Sequence, residues 1–395
     1  MPEPQRTRYF VSDDPEPVHK KSLLWDKALP ISRHQQPCPS TNSTGKTLTY
    51  GEYFEAVTEF LKAHRSDFIT QAAAHIIKRP LTPHEISRIH IHLEKHGAFY
   101  HPARIALSLL DRQISLVLNV AISTAGKNII RNEYRQLKRL ANRFSPARLP
   151  NVFGYGRVRI DGERHVQMFL GEWFKDFHEF HVSDRNGQGA TGIRVWDPKK
   201  GNLFLSRHQI QHVFEQAAMI LTAYYNLETF EQITSWHHAA GDFVVCMQTG
   251  EPMVKLVTVR RYEPLFNLSG DVDTLEVTLN TLLIFLLNIS IHLRIDRMDG
   301  VGDVVWVSGD VVDEIVRGFF KGLVLQAEAL RIPHALIDAF NVFLLHLPET
   351  DIRDVFKGIV CRLDPKNPDQ AVINRNLDLH IEAVLSVLRQ MKTLL

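Results

Sequence analysis

The stretch Ile114–Phe144, ISLVLNVAISTAGKNIIRNEYRQLKRLANRF, changes its period part-way through. Its opening run, ISLVLNVAI, is mostly branched and apolar, which predicts a buried strand. From Lys127 the apolar side chains Ile130, Tyr134, Leu137 and Leu140 fall on one helical face. Arg131, Arg135, Lys138, Arg139 and Arg143 cover the other, and Pro146 and Pro150 stop the helix.

Upstream, Ile89, Ile91 and Leu93 alternate with His90, His92 and Glu94 until Gly97 breaks the run, and PARIALSLL follows. Three consecutive strands therefore precede the helix. Downstream, VFGYGRVRI and HVQMFLGEWF are joined by Asp161-Gly162, a hairpin-turn dipeptide. The first half thus reads as an antiparallel sheet with one helix.

After DRNGQGATG the chain turns helical: HQIQHVFEQAAMILTAYYNLETFEQI is long and amphipathic, LEVTLNTLLIFLLNISIHLRI is buried, and segments from Val311, Ile337 and Leu377 add more. A short hairpin, GDFVVCMQTGEPMVKLVTVRRY, turns near Gly250 between the first two. Ahead of the sheet, Phe54, Val57, Phe60 and Leu61, then Phe68, Ile69, Ala73, Ile76 and Ile77, predict two helices. Residues 1–45, rich in Pro, Ser, Thr, Gln and charge, predict a disordered tail. At its end, Gly45-Lys46-Thr47 imitates a phosphate loop, but Ser40 stands where the first glycine belongs and no strand precedes it.

With 46 Lys+Arg against 44 Asp+Glu the formal charge is +2, which excludes a broad polyanion-binding footprint. The three cysteines, Cys38, Cys246 and Cys361, lie too far apart for a zinc knuckle or a disulfide framework and suit reduced thiols. The N-terminus has no apolar core of a secretory signal, and the most apolar window, Leu279–Ile291, is short and carries Asn280, Thr281, Asn288 and Ser290. A cytoplasmic protein with no membrane partner is expected.

The order of these elements resembles that of the protein-kinase-like superfamily, particularly its aminoglycoside and choline phosphotransferase branch, over roughly residues 85–330. The resemblance implies an α+β, two-lobed kinase-like fold: a disordered tail (1–45), a helical extension (46–84), a sheet-rich lobe (85–182) and a helical lobe (183–395). It places Asn119 where the family's phosphate-gripping lysine falls and Glu133 at the glutamate that orients it, with Lys127 as a substitute cation. The backbone from Leu170 to Glu172 would meet an adenine. In SWHHAAGDFVV, Asp242 takes the position of a magnesium ligand and His237, five residues earlier, that of the base, with His238 beside it. Thr258 stands where the family's second metal-binding Asp belongs.

Asn119, His237 and Thr258 thus replace three charged groups on which phosphoryl transfer depends. The expected function is that of a pseudokinase-like binding or scaffolding protein whose interlobe cleft recognises a small-molecule ligand or partner protein. The alternative is a divergent phosphotransferase or nucleotidyl transferase acting on a hydroxyl, with ATP and magnesium as cofactors.

The 20 histidines invite a metal site or pH-sensitive chemistry. His90 and His92 share a strand face with His96 and His101 nearby, and a solvated face explains that pattern without metal. His178 and His181 have helical spacing among Trp173, Phe174, Phe177 and Phe180, which suits an amphipathic linker or a ligand-stacking patch. The basic helix 127–143 reads as a solvated face, with nucleic acid or an acidic partner as the alternative.

Overall fold

A computed structural model describes residues 7–12, 14–30, 47–63, 67–97, 99–162, 164–187, 189–198, 200–238, 241–248, 250–265, 274–308, 311–330 and 333–394. The chain is mixed α+β and divides into two compact units. The first comprises Met1–Asn142 and Pro150–Lys175, and the second Arg143–Leu149 and Asp176–Leu395.

The first unit contains β1 (Thr7–Val11), α1 (Tyr50–Lys62), α2 (Asp67–Ile77), β2 (Arg88–Leu93), β3 (Ala103–Ser108), β4 (Gln113–Ala121), α3 (Thr124–Leu140), β5 (Val152–Asp161) and β6 (Arg164–Glu172). Its six strands form one sheet in the order β1-β2-β3-β4-β6-β5. The β2-β3-β4 meander and the β5-β6 hairpin are antiparallel, as their alternation and the Asp161-Gly162 turn predict.

Two expectations change here. Residues 7–11, assigned to a disordered tail, form β1, which pairs parallel with β2 so that Tyr9 meets Ile91. Trp25 and Leu29 from the same segment are buried in the core. Aromatic burial offsets the ordering entropy that the polar composition overstates. The supposed separate extension is likewise part of this core: Phe54, Val57 and Phe60 of α1 are buried with Ile91, Leu118 and Met168 of the sheet. Thr49 and Glu52 form a reciprocal capping box at the start of α1, and Arg164 of β6 reaches Glu52 at 2.6 Å. At Gly51 a Cβ would lie 2.2 Å from the Trp25 indole, so only glycine admits that ring against α1. Of the phosphate-loop imitation, Gly45 and Lys46 lie outside the described residues, as does Cys38.

The second unit contains β7 (His178–Asp184), β8 (Thr191–Val195), β9 (Leu203–Phe204), α4 (Arg207–Ala223), β10 (Glu231–Thr234), β11 (Phe243–Cys246), β12 (Met253–Leu256), β13 (Arg261–Pro264), α5 (Thr274–His292), β14 (Ile295–Arg297), β15 (Val304–Trp306), α6 (Val312–Leu330), α7 (His334–His346), α8 (Glu349–Cys361) and α9 (Pro368–Leu394). One sheet runs β12-β11-β7-β8-β9, and two-stranded pairs join β10 to β13 and β14 to β15. The segment holding His178 and His181 is therefore a strand, not a helical linker. It pairs with β8, the next strand, and on its other side with β11, which lies some sixty residues downstream, beyond the reach of local periodicity.

Among the described residues one helix window, Leu275–His292 of α5, is long and apolar enough to cross a membrane, and 56% of it is buried. Leu282, Phe285, Leu286 and Ile289 are all buried, and α5 packs with α6 and α8. Its apolar run therefore has a core to fill within this unit.

Candidate functional site

In the first unit, the break in hydrophobic pattern at Ser123 starts α3: the Ser123 hydroxyl accepts from the Gly126 amide at 3.1 Å. Further along the helix, Glu133 points inward and is 2% exposed. The hydroxyl of Tyr100, from the loop between β2 and β3, donates to its carboxylate at 2.6 Å. A phenol thus engages the carboxylate that the resemblance assigned to orienting a lysine. Asn119 is half-buried on β4, in register with Phe169 of β6. Lys127, in the first turns of α3, is half-buried with no ion-pair partner among the described residues. Burial and the nearby Arg157 guanidinium lower its pKa.

Leu170 is fully buried in the middle of the sheet, paired with Leu118 on one side and Gly154 on the other. The Glu172 amide donates to Asn151 O at 2.8 Å, and its carboxylate accepts from the Asn151 side chain at 3.0 Å. The backbone expected to meet an adenine is therefore engaged in the sheet at these two residues.

In the second unit, the loop after β10 leads directly into β11, and β13 returns beside β10. Asp242, 1% exposed, sits at the loop's end. Its carboxylate accepts from Arg260 through both oxygens, at 2.6 and 2.7 Å, and from the His237 backbone amide at 2.8 Å. Arg260 follows β12 and also donates to Ser235 O at 2.9 Å, so one guanidinium fastens both ends of the loop. The buried Thr258 lies two residues before it.

His237 and His238 part company, as adjacent residues do. The His237 ring is 30% exposed and approaches Asp369 of α9 at 3.5 Å. His238 is enclosed: its Nε2 donates to Leu293 O at 3.1 Å, and Phe180, Phe214, Trp236 and Phe243 surround the ring. Its Nδ1 is buried without a partner among the described residues. Burial drives its pKa down to about 4, so it is neutral at pH 7 and packed as a core residue.

No family model matches this chain. No curated protein matches it either. Among solved structures it is similar to one described as "WaaP in complex with acyl carrier protein", with 11% identity and a TM-score of 0.27, over 67% of this chain and 88% of that one.

A second constellation escaped the sequence. His181 of β7 lies between Asp296 at 3.3 Å and Glu179 at 3.6 Å, and Asp296 also accepts from the Val182 and Arg297 amides at 2.8 Å each. Burial opposes the charge on His181, but the two carboxylates prevail and raise its pKa to about 9. Gly241 (φ +66) passes so close to Glu179 that a Cβ would lie 2.4 Å from its carboxyl carbon. Asp296 lies in β14, within the charged segment RIDRMDG, whose density of charge is the available signal. Its partner on β7 lies over a hundred residues away.

His90, His92, His96 and His101 are engaged by their neighbours in the first unit. Phe10 of β1 stacks on His92 at 4.5 Å and lies 5.3 Å from His90, so that strand face is partly covered and both imidazoles stay half-buried. His96 and His101 share a 2.9 Å hydrogen bond between their Nδ1 atoms. No group of three potential metal ligands occurs among the described residues. On α3, Arg131, Arg135, Lys138 and Arg139 line the helix, with Lys138 over the Tyr134 ring, while Arg143 lies beyond the helix in the second unit.

Proposed function

We propose that this chain is a kinase-like binding or scaffolding protein that recognises a ligand or partner protein and transfers no phosphoryl group. The observation that carries this reading is the double hydrogen bond from Arg260 to Asp242. A carboxylate serving a phosphoryl-transfer site holds a magnesium ion through its oxygens. Here both oxygens already face a guanidinium, and the positive charge is supplied by the chain. Thr258 adds no second carboxylate, Asn119 no cation, and Glu133 is engaged by Tyr100.

The kinase-like part of the reading is supported by element order: a three-strand meander, a helix, a hairpin, then α4, a loop and the β11-β12 hairpin. Thermal denaturation with ATP and magnesium or manganese tests the function. A ligand that binds only the native state must raise its apparent stability. The reading expects no metal-dependent rise at millimolar nucleotide.

One observation favours the alternative, a divergent Mg-ATP phosphotransferase: Lys127 is a desolvated cation without an ion-pair partner among the described residues. A metal-dependent stabilisation that Lys127→Ala removes would replace the binding reading with that one.

A further inference from the structure

The second unit contains a cavity of about 410 Å³ lined by β10, the residues that follow it, α5 and α8. That volume lies within the range of small-molecule sites. On α5 the residues Ile284, Asn288 and His292 recur every fourth position and line one wall, and Val355 and Ile359 of α8 form another.

The polar groups in this mostly apolar space are unusual. Gln232 is 3% exposed, yet its carboxamide makes no side-chain hydrogen bond among the described residues. The Asn288 carboxamide is likewise without a partner among them, although its backbone carbonyl accepts from His292 Nδ1 at 3.0 Å. Thr234 Oγ1 is buried with no partner among them. Thr234 Oγ1 is the fully buried one of these; the two carboxamides open onto the same cavity, where a ligand can supply the partners that the chain does not.

The chemistry of these groups narrows its class. No carboxylate is among the lining residues and one guanidinium, that of Arg362, is, which disfavours a cationic ligand. His292 Nδ1 donates to the Asn288 backbone carbonyl, which leaves Nε2 as an acceptor suited to a ligand N–H or O–H. Each carboxamide presents a donor beside an acceptor. Its geometric complement is a cis-amide, in which an N–H stands beside a C=O and two parallel hydrogen bonds form. Trp236 adds a flat aromatic surface at the same cavity.

We propose that this cavity binds a flat, non-cationic heterocycle with a lactam or imide edge, read by the carboxamides of Gln232 and Asn288. The inference goes beyond the reading of the Asp242 loop and does not depend on it.

Isothermal titration of the full chain with uridine, hypoxanthine and 1,3-dimethyluracil, whose amide N–H groups are blocked, tests it. Saturable binding of uridine or hypoxanthine is expected, at least ten-fold weaker for the dimethyl compound. Gln232→Leu and Asn288→Leu should each weaken binding at least ten-fold without lowering the melting temperature, because each removes an unsatisfied polar group from an apolar wall. Thr234→Val serves as the minimal variant if either leucine substitution fails to fold, with weakened binding again expected. Absence of saturable binding at millimolar probe, equal binding of the dimethyl compound, or binding indifferent to the folded variants would overturn the proposal.

Discussion

The hydroxyl of Tyr100 and the carboxylate of Glu133, both buried, stand 2.6 Å apart and join the β2-β3 loop to α3. A hydrogen bond to a carboxylate in such surroundings contributes more than a neutral one on the surface. Tyr100→Phe should therefore lower the unfolding free energy by about 1–3 kcal/mol, measured by chemical denaturation. A loss within error of zero would show that the pair is not a stabilising contact.

Asp242 and Arg260 are coupled in the same sense. Asp242→Asn leaves a largely buried guanidinium without its counter-charge and is expected to cost about 3–5 kcal/mol. Asp242→Asn combined with Arg260→Met should cost clearly less than the two single changes added together. Additive losses in the double variant would dissolve the pair as a unit.

Buried histidines should make the protein acid-labile. Burial lowers the pKa of His101 and His238 to about 4 and, helped by Arg294, that of His380 to about 3. Each group stays neutral in the native state while its unfolded counterpart takes up a proton near pH 6.5. The stability they contribute is thus present above about pH 6.5 and lost as pH falls through 4. For His238 the loss between pH 7 and pH 4 is about 3 kcal/mol. Denaturation midpoints at pH 7, 5.5 and 4 should fall steeply, and His238→Phe should flatten the profile.

His181 acts at the other end of the scale. With its pKa raised to about 9, its ion pairs stabilise fully below about pH 6.5 and fade as pH rises through 9. His181→Gln should remove the decline between pH 7 and pH 9.5 measured by thermal denaturation. An unchanged decline would assign it to other groups.

Local patterns read well where the structure is local. The alternation of Ile89, Ile91 and Leu93 gives β2, the helical face of Ile130, Leu137 and Leu140 gives α3, and Asp161-Gly162 gives its turn. What escaped is non-local. β1 pairs with a strand some eighty residues onward, and the environment that commits His181 to β7 is completed by Asp296. Asp242 was picked out by its place before an apolar strand, but its charge partner is an arginine 18 residues later, within a segment where register alone drew attention to Thr258. Burial, too, cannot be counted from composition: of the two adjacent histidines, one faces Asp369 and the other fills an aromatic core.

The central claim is that a guanidinium occupies the place of the metal at Asp242. Titration of the wild-type chain with manganese, followed by electron paramagnetic resonance in the presence of ATP, tests it most directly. The account predicts that the signal of the hydrated ion and its nucleotide complex is unchanged by the protein. A protein-bound manganese signal that Asp242→Asn abolishes in a folded variant would contradict it.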